Sequence, residues 1–128
     1  MGRILLIDDE PAFTRFLAGY IADNFPLLQV DICNNPMSAL HSIKVGSYDL
    51  MLIDLEMPAM DGLKLLRFAV GAGMDKNRIV ILSGRDADFL HDICPMGTCL
   101  AVLNKFEARQ KSVLDMVFNS LNQKAEAN

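Results

Sequence analysis

Five short apolar runs alternate along the chain with segments of helical period, and this alternation leaves few folds open. Ile4, Leu5, Leu6 and Ile7 form the first run, Leu50 to Ile53 the third, Ile79 to Leu82 most of the fourth, and Leu100 to Leu103 the fifth. Continuous apolarity of this length is expected of strands covered on both faces. The second run differs: Leu28, Val30 and Ile32 alternate with Gln29, Asp31 and Cys33, which predicts a half-buried edge strand. Between the runs lie helix signals. Pro11 suits a first turn, and Phe13, Phe16, Leu17, Tyr20 and Ile21 recur at three- and four-residue steps until Pro26. Asn35-Pro36 opens a second helix with Leu40 and Ile43 on its face, closed by Gly46. Leu63, Leu66 and Val70 mark a third, stopped by Gly71 and Gly73. A short fourth helix is predicted over 86–93. A fifth, from about Glu107, carries Val113, Leu114, Val117, Phe118 and Leu121. Strand and helix in strict alternation imply an α/β fold, a parallel sheet with helices on both faces and right-handed crossovers.

Length and composition narrow the class. At 128 residues one domain is expected, assigned here to 1–124 with a frayed tail at 125–128. A chain of this size buries roughly two-thirds of its unfolded surface and folds without a disulfide or metal. The net charge of -4 argues against direct nucleic-acid binding, which wants a basic face. No apolar run approaches the ~20 residues that span a bilayer, and the four after Arg3 are too few for a signal-peptide core. Gly2 invites a myristoylation reading, but Leu6 stands where Ser or Thr is wanted. Cys33, Cys94 and Cys99 are odd in number and lack metal-ligand spacing, which suits buried reduced thiols in a cytoplasmic protein.

Polar residues stand just beyond four of the runs: Asp8 and Asp9, Asp54, Ser83, and Lys105. In open parallel sheets, sites form beyond the carboxyl ends of the strands, where strand order reverses. In a 2-1-3-4-5 order, strands one and three flank that point and carry the three acids, while strand two offers no comparable group. Clustered carboxylates raise one another's pKa unless a cation intervenes. Mg²⁺ resolves such a conflict and takes phosphate oxygens as further partners. One Asp can then act as nucleophile toward a phosphoryl group while the others hold the metal, and Ser83 and Lys105 grip the transferred oxygens.

Each residue also has a plainer explanation. Asp8-Asp9-Glu10 before Pro11 suits a helix start, Ser83-Gly84 a turn, and Lys105 a surface lysine. The joint pattern, one polar group per strand end, favours a site. His41 and His91 lack acid or Cys neighbours in a ligand pattern, and the eight Met residues suit core and loops.

At these residues the chain resembles the receiver domain of bacterial two-component response regulators, over essentially its whole length. The resemblance is carried by Asp8-Asp9, Asp54, Met57-Pro58-Ala59-Met60-Asp61-Gly62, Ser83-Gly84 and Lys105, and by their spacing. It implies a flavodoxin-like (βα)₅ fold with sheet order 2-1-3-4-5. It implies a phosphoacceptor, not an enzyme acting on a separate substrate. Asp54 would take the phosphoryl group from a sensor histidine kinase or phosphotransfer protein. Asp8, Asp9, Asp54 and the backbone carbonyl of Glu56 would bind Mg²⁺, and Ser83 and Lys105 would contact the phosphoryl group. Phosphorylation would shift a pre-existing equilibrium. That shift would repack the face of helix four, strand five and helix five for an output domain or protein, or for a homodimer. An end at Asn128 suits both a stand-alone regulator and a receiver joined to a further domain.

Three positions depart from the family pattern. Phe106 follows Lys105 where proline, often cis, is usual. A cis non-proline bond costs ~2.5–4 kcal/mol, so a trans bond is predicted. Val102 stands where many receivers carry a switching Tyr or Phe. Glu56 and Arg85 flank the pocket mouth, where Glu56 would either repel an incoming phosphodonor or water or pair with Arg85, and the two residues would tune phosphoryl lifetime. The alternative function is a receiver-like interaction module that does not cycle phosphate. An aspartate-nucleophile phosphatase is disfavoured, because it wants Asp-x-Asp after the first strand and this chain has adjacent acids. Asp8-Asp9-Glu10-Pro11 is likewise the wrong charge for a flavin phosphate loop.

Overall fold

The apolar runs form one five-stranded parallel sheet, and the helix-period segments pack on its two faces. The computed structural model describes residues 2–127, apart from the side chains of residues 87, 108 and 109. In chain order the elements are β1 (Gly2–Ile7), α1 (Pro11–Asn24), β2 (Leu28–Cys33), α2 (Pro36–Val45), β3 (Leu50–Asp54), α3 (Gly62–Gly71), a 3₁₀ turn (Lys76–Arg78), β4 (Ile79–Ser83), α4 (Ala87–Ile93), β5 (Ala101–Asn104) and α5 (Ala108–Ala127). The strand order is β2-β1-β3-β4-β5, as the sequence predicts.

Side chains alternate across a strand, so each central strand feeds two cores. Leu5, Ile7, Met51, Ile53, Ile79 and Ile81 face α2 and α3, where Ala39, Ile43, Leu65, Leu66 and Ala69 meet them. Ile4, Leu6, Leu50, Leu52, Val80 and Leu82 face α1 and α5, where Leu17, Ile21 and Phe118 meet them. Cys33, Cys94 and Cys99 are buried and free. Burial and the neighbouring Cys94 push the Cys99 thiol up to about 12, so it stays protonated.

Several helix details correct the sequence reading. On α1 the buried residues are Thr14, Leu17 and Ile21, and Phe16, one step off that stripe, is 69% exposed. On α3 they are Gly62, Leu65, Leu66 and Ala69, while Val70 is 41% exposed. These four positions are spaced i, i+3, i+4, i+7, but two are small, so a stripe drawn through large side chains misses it. The last helix, α5, continues to Ala127. Gln, Lys, Ala and Glu are good helix formers even without an apolar face. Asn128 lies outside the described residues. The 3₁₀ turn was not foreseen. Asp75 caps it through Asn77 N at 2.9 Å, and β4 therefore starts at Ile79.

Candidate functional site

Register alone brings the strand-end acids level. Ile7 of β1 pairs with Ile53 of β3, so Asp8 and Asp54, the next residue on each strand, stand side by side. Asp54 in turn pairs with Leu82, and Ser83 with Asn104, the residue before Lys105. Lys105 N donates to Ser83 O at 2.9 Å, which extends this pairing one step beyond β5. Asp8, Asp54, Ser83 and the Lys105 side chain are all at most 4% exposed, and Asp9 is half-buried.

The ammonium of Lys105 sits among the acids. Its Nζ lies 2.6 Å from Asp8 Oδ2, 3.3 Å from Asp54 Oδ1 and 4.0 Å from Glu10 Oε1. It also lies 4.6 Å from the centroid of the Phe13 ring, which shields one side. Burial alone would lower the lysine's pKa. The hydrogen bond to Asp8 and the charges of Asp54 and Asp8 outweigh it and hold the ammonium protonated. One lysine is not enough for its partners. Burial, and then the Asp8 charge, push the Asp54 carboxyl from 3.8 up to about 7, against the lowering effects of Lys105 and of Glu56 N.

Asp8, Asp9 and Asp54 each offer a carboxylate oxygen, and these oxygens lie within 4.8 Å of one another. The donor set is all oxygen and short of positive charge, and among the described residues buried Asp8 Oδ2 has Lys105 as its sole partner. Both properties fit a small hard cation. Asp8 also keeps part of its plainer role, since its Oδ1 accepts from Glu10 N at 3.0 Å.

Ser83 and Glu56 are joined. Ser83 Oγ donates to Glu56 Oε1, and Gly84 N donates to the same oxygen at 3.3 Å. Glu56 N points back to Asp54 Oδ1 at 3.3 Å. Of the two arrangements open to Glu56, the ion pair with Arg85 is not formed among the described residues. The Arg85 guanidinium instead stacks on the Phe89 ring, 3.8 Å from its centroid. The Lys105–Phe106 bond is trans, as predicted, and Phe106 N is held by Asn104 Oδ1 at 2.7 Å. Val102 is half-buried against the core beneath α2 and α3.

Two supporting residues, Asn34 and Thr14, escaped the sequence reading, as did the packing role of Gly62. Strand two does contribute to the site's surroundings: Asn34, just past β2, donates to Asp8 O at 2.7 Å and to Thr14 Oγ1 at 3.1 Å. Thr14 is buried under the acids' loop. Its signal was a hydroxyl on an otherwise apolar stripe. Gly62 lets the β3–α3 loop fold back on the acceptor strand. Its N donates to Leu55 O at 3.0 Å, and a Cβ there would collide with Asp54 O and Leu55 Cα. Its signal was a glycine opening a helix, against propensity.

The chain belongs to the response regulator receiver domain family, which it matches over residues 4–115. It is therefore a signalling domain of the two-component type. Among curated relatives, it is 38% identical over 65 residues to the cyclic di-GMP phosphodiesterase response regulator RpfG of Xanthomonas campestris pv. campestris. That match covers 51% of this chain and 17% of the relative. It is 35% identical over 101 residues to a protein-glutamate methylesterase/protein-glutamine glutaminase of Treponema denticola, covering 76% of this chain and 27% of that one. The chain thus spans well under half the length of these relatives. Among solved structures, it superposes on response regulator TrrA of Thermotoga maritima in complex with Mg(2+)-BeF, with a TM-score of 0.78. The two are 22% identical, covering 94% of this chain and 99% of that one. A Burkholderia pseudomallei response regulator with a phosphorylated aspartic acid and a calcium ion gives a TM-score of 0.76. It is 20% identical, covering 99% of this chain and 72% of that one. At such identities the likeness speaks for the fold. Among the described residues, no helix is long and apolar enough to cross a membrane.

Proposed function

We propose that this receiver accepts a phosphoryl group on Asp54 from the phosphohistidine of a sensor histidine kinase or phosphotransfer protein, in an Mg²⁺-dependent step. The observation that carries the reading is the convergence of Asp8, Asp9, Asp54, Ser83 and Lys105 at the carboxyl ends of β1, β3, β4 and β5. In the step, an Asp54 carboxylate oxygen attacks phosphorus and the P–N bond breaks. With its other ring nitrogen protonated, the histidine ring leaves with the bonding pair as neutral imidazole. Asp8, Asp9, Asp54 and the carbonyl of Glu56 would hold Mg²⁺. When bound, it supplies the positive charge that keeps the carboxylates ionised and offsets the phosphoryl oxygens. Lys105, already 3.3 Å from Asp54, favours the ionised nucleophile and afterwards pairs with a phosphoryl oxygen. Ser83 Oγ and Gly84 N donate to the others. The new charge biases the α4–β5–α5 face toward a downstream partner. A partner kinase of this kind implies a cytoplasmic location, in keeping with three free thiols.

Incubation with a small phosphodonor and Mg²⁺, followed by intact mass, tests the reading. A gain of about 80 Da, the mass of one phosphoryl group, is expected on the native chain. It should disappear in Asp54→Ala or with a chelator. An adduct that survives Asp54→Ala, or no adduct on the native chain, overturns the proposal.

A further inference from the structure

Glu56 is an exposed acid on a flexible loop side chain, yet it is tied down by two donors that point at the acceptor pocket. Its Oε1 receives both the Ser83 hydroxyl and the Gly84 amide. Its own backbone N donates to Asp54 Oδ1, so the glutamate side chain arches from the acceptor carboxylate to the end of β4. It has no ion pair among the described residues, since Lys105 is engaged by Asp8, Asp54 and Glu10 and Arg85 lies on Phe89. What holds it is an anion site: a buried hydroxyl and a strand-end amide, both aimed at one carboxylate oxygen. Phe106 lies beside Gly84, where an added Cβ would meet its ring at 3.3 Å.

We infer that the Glu56 carboxylate is a built-in competitor for the phosphoryl group, occupying the donors that a phosphoryl oxygen on Asp54 requires. The inference rests on the phosphoacceptor reading above and adds a positioning role that the reading does not need. In the resting protein Ser83 Oγ and Gly84 N are satisfied by Glu56. A phosphoryl group arriving on Asp54 brings its own oxygens to the same donors, and two anions cannot share them without repulsion. Glu56 must therefore swing outward, and the exposed side of its loop leaves room for it. The free energy of two hydrogen bonds to a carboxylate is thereby subtracted from phosphoryl binding. Glu56 thus sets how strongly the pocket holds a phosphoryl group, and its departure accompanies phosphorylation as a local rearrangement at the end of β4. Val102 offers no aromatic ring for the rotation usual in the family, so this glutamate is the side chain whose position reports the occupied pocket.

The probe is fluoroberyllate with Mg²⁺, a phosphoryl mimic, with affinity read by calorimetry and the Gly84 amide followed by NMR. Four chains are compared: native, Glu56→Ala, Glu56→Asp and Asp54→Ala. Losing the competitor should tighten fluoroberyllate binding by at least about tenfold in Glu56→Ala, the effect of even one of the two hydrogen bonds. Glu56→Asp keeps the charge and loses a methylene of reach, so it should follow Glu56→Ala. In both, the resting Gly84 amide resonance should move, because its acceptor is gone. Equal affinity in the native chain and Glu56→Ala, or weaker binding in Glu56→Ala, overturns the inference. So does a Glu56→Asp chain that matches the native one while Glu56→Ala binds tighter, since charge repulsion would then suffice. If no chain shows fluoroberyllate binding that depends on Asp54, the phosphoacceptor reading itself fails and the inference falls with it.

Discussion

Lys105 carries the charge balance of the pocket on one side chain. It faces Asp8 at 2.6 Å and Asp54 at 3.3 Å with 4% exposure, so water does little to screen these pairs. Removing one partner from a buried ionic cluster leaves uncompensated charge, which costs more than the pair itself contributes. Lys105→Met should therefore destabilise the metal-free protein by about 3 kcal/mol at pH 8, read by urea unfolding. Part of that loss should be absent when Asp54→Asn is already in the chain, because one of the two buried carboxylates that need the lysine is gone while Asp8 remains. The two changes are neighbours and should couple strongly. An equal cost in both backgrounds would show that Lys105 is held by Asp8 and not by Asp54. The position also explains why Phe106 is compatible with the site. The lysine's placement comes from the β4–β5 register and from Asn104 Oδ1 holding Phe106 N.

The β3–α3 connection is the element that depends most on single residues. β3 ends on Asp54, and the chain returns at Gly62, whose missing side chain lets it pass against the Asp54 carbonyl. Asp61 caps the new helix by accepting from Leu63 N at 2.8 Å. Gly62→Ala should cost about 1–3 kcal/mol, since backbone must move to admit the methyl group. The same change should lower the phosphodonor-dependent mass adduct by displacing Asp54. Gly71, at the other end of α3, has nothing within 4 Å of an added Cβ. Gly71→Ala should leave stability equal or raise it by up to about 1 kcal/mol. Urea midpoints of the two variants check the contrast, and similar losses in both would refute it. This element also shows what a sequence can and cannot disclose. Strand positions were legible because Leu50 to Ile53 is apolar throughout, and the meeting of Asp8, Asp54, Ser83 and Lys105 followed from strand order alone. The face of α3 was misdrawn because Gly62 and Ala69 are packed for their smallness, which leaves no hydrophobic signal. Asn34 and the direction taken by Glu56 were illegible for another reason. Their roles depend on where a side chain points across 26 or 27 residues of chain, and no local pattern records that.

At the scale of the whole molecule, the sheet buries an acid that the fold would rather keep neutral. The Asp54 carboxyl is raised from 3.8 to about 7 by burial and by Asp8. Between those values the folded chain binds a proton that the unfolded chain has released, so its stability falls as pH rises. Below about 4 both states are protonated and above about 7 both are ionised, so the slope from this group is confined to that window. In chelator-treated buffer, native stability should therefore decline from pH 5 to pH 8, by at most about 1.36 kcal/mol per pH unit. Asp54→Asn removes the group, and its curve should be flatter across the same range and lie above the native one at pH 8. Adding Mg²⁺ should oppose the decline, because only the ionised pocket holds a cation well. At ten times its dissociation constant a ligand adds about 1.4 kcal/mol. That gain should be larger at pH 8 than at pH 5, and small at either pH in Asp54→Asn. Urea unfolding at four pH values, with and without Mg²⁺, separates these contributions. Native and Asp54→Asn curves that run parallel from pH 5 to pH 8 would mean that Asp54 ionises at its ordinary value. The pocket would then have charge enough of its own, and no reason to recruit a metal.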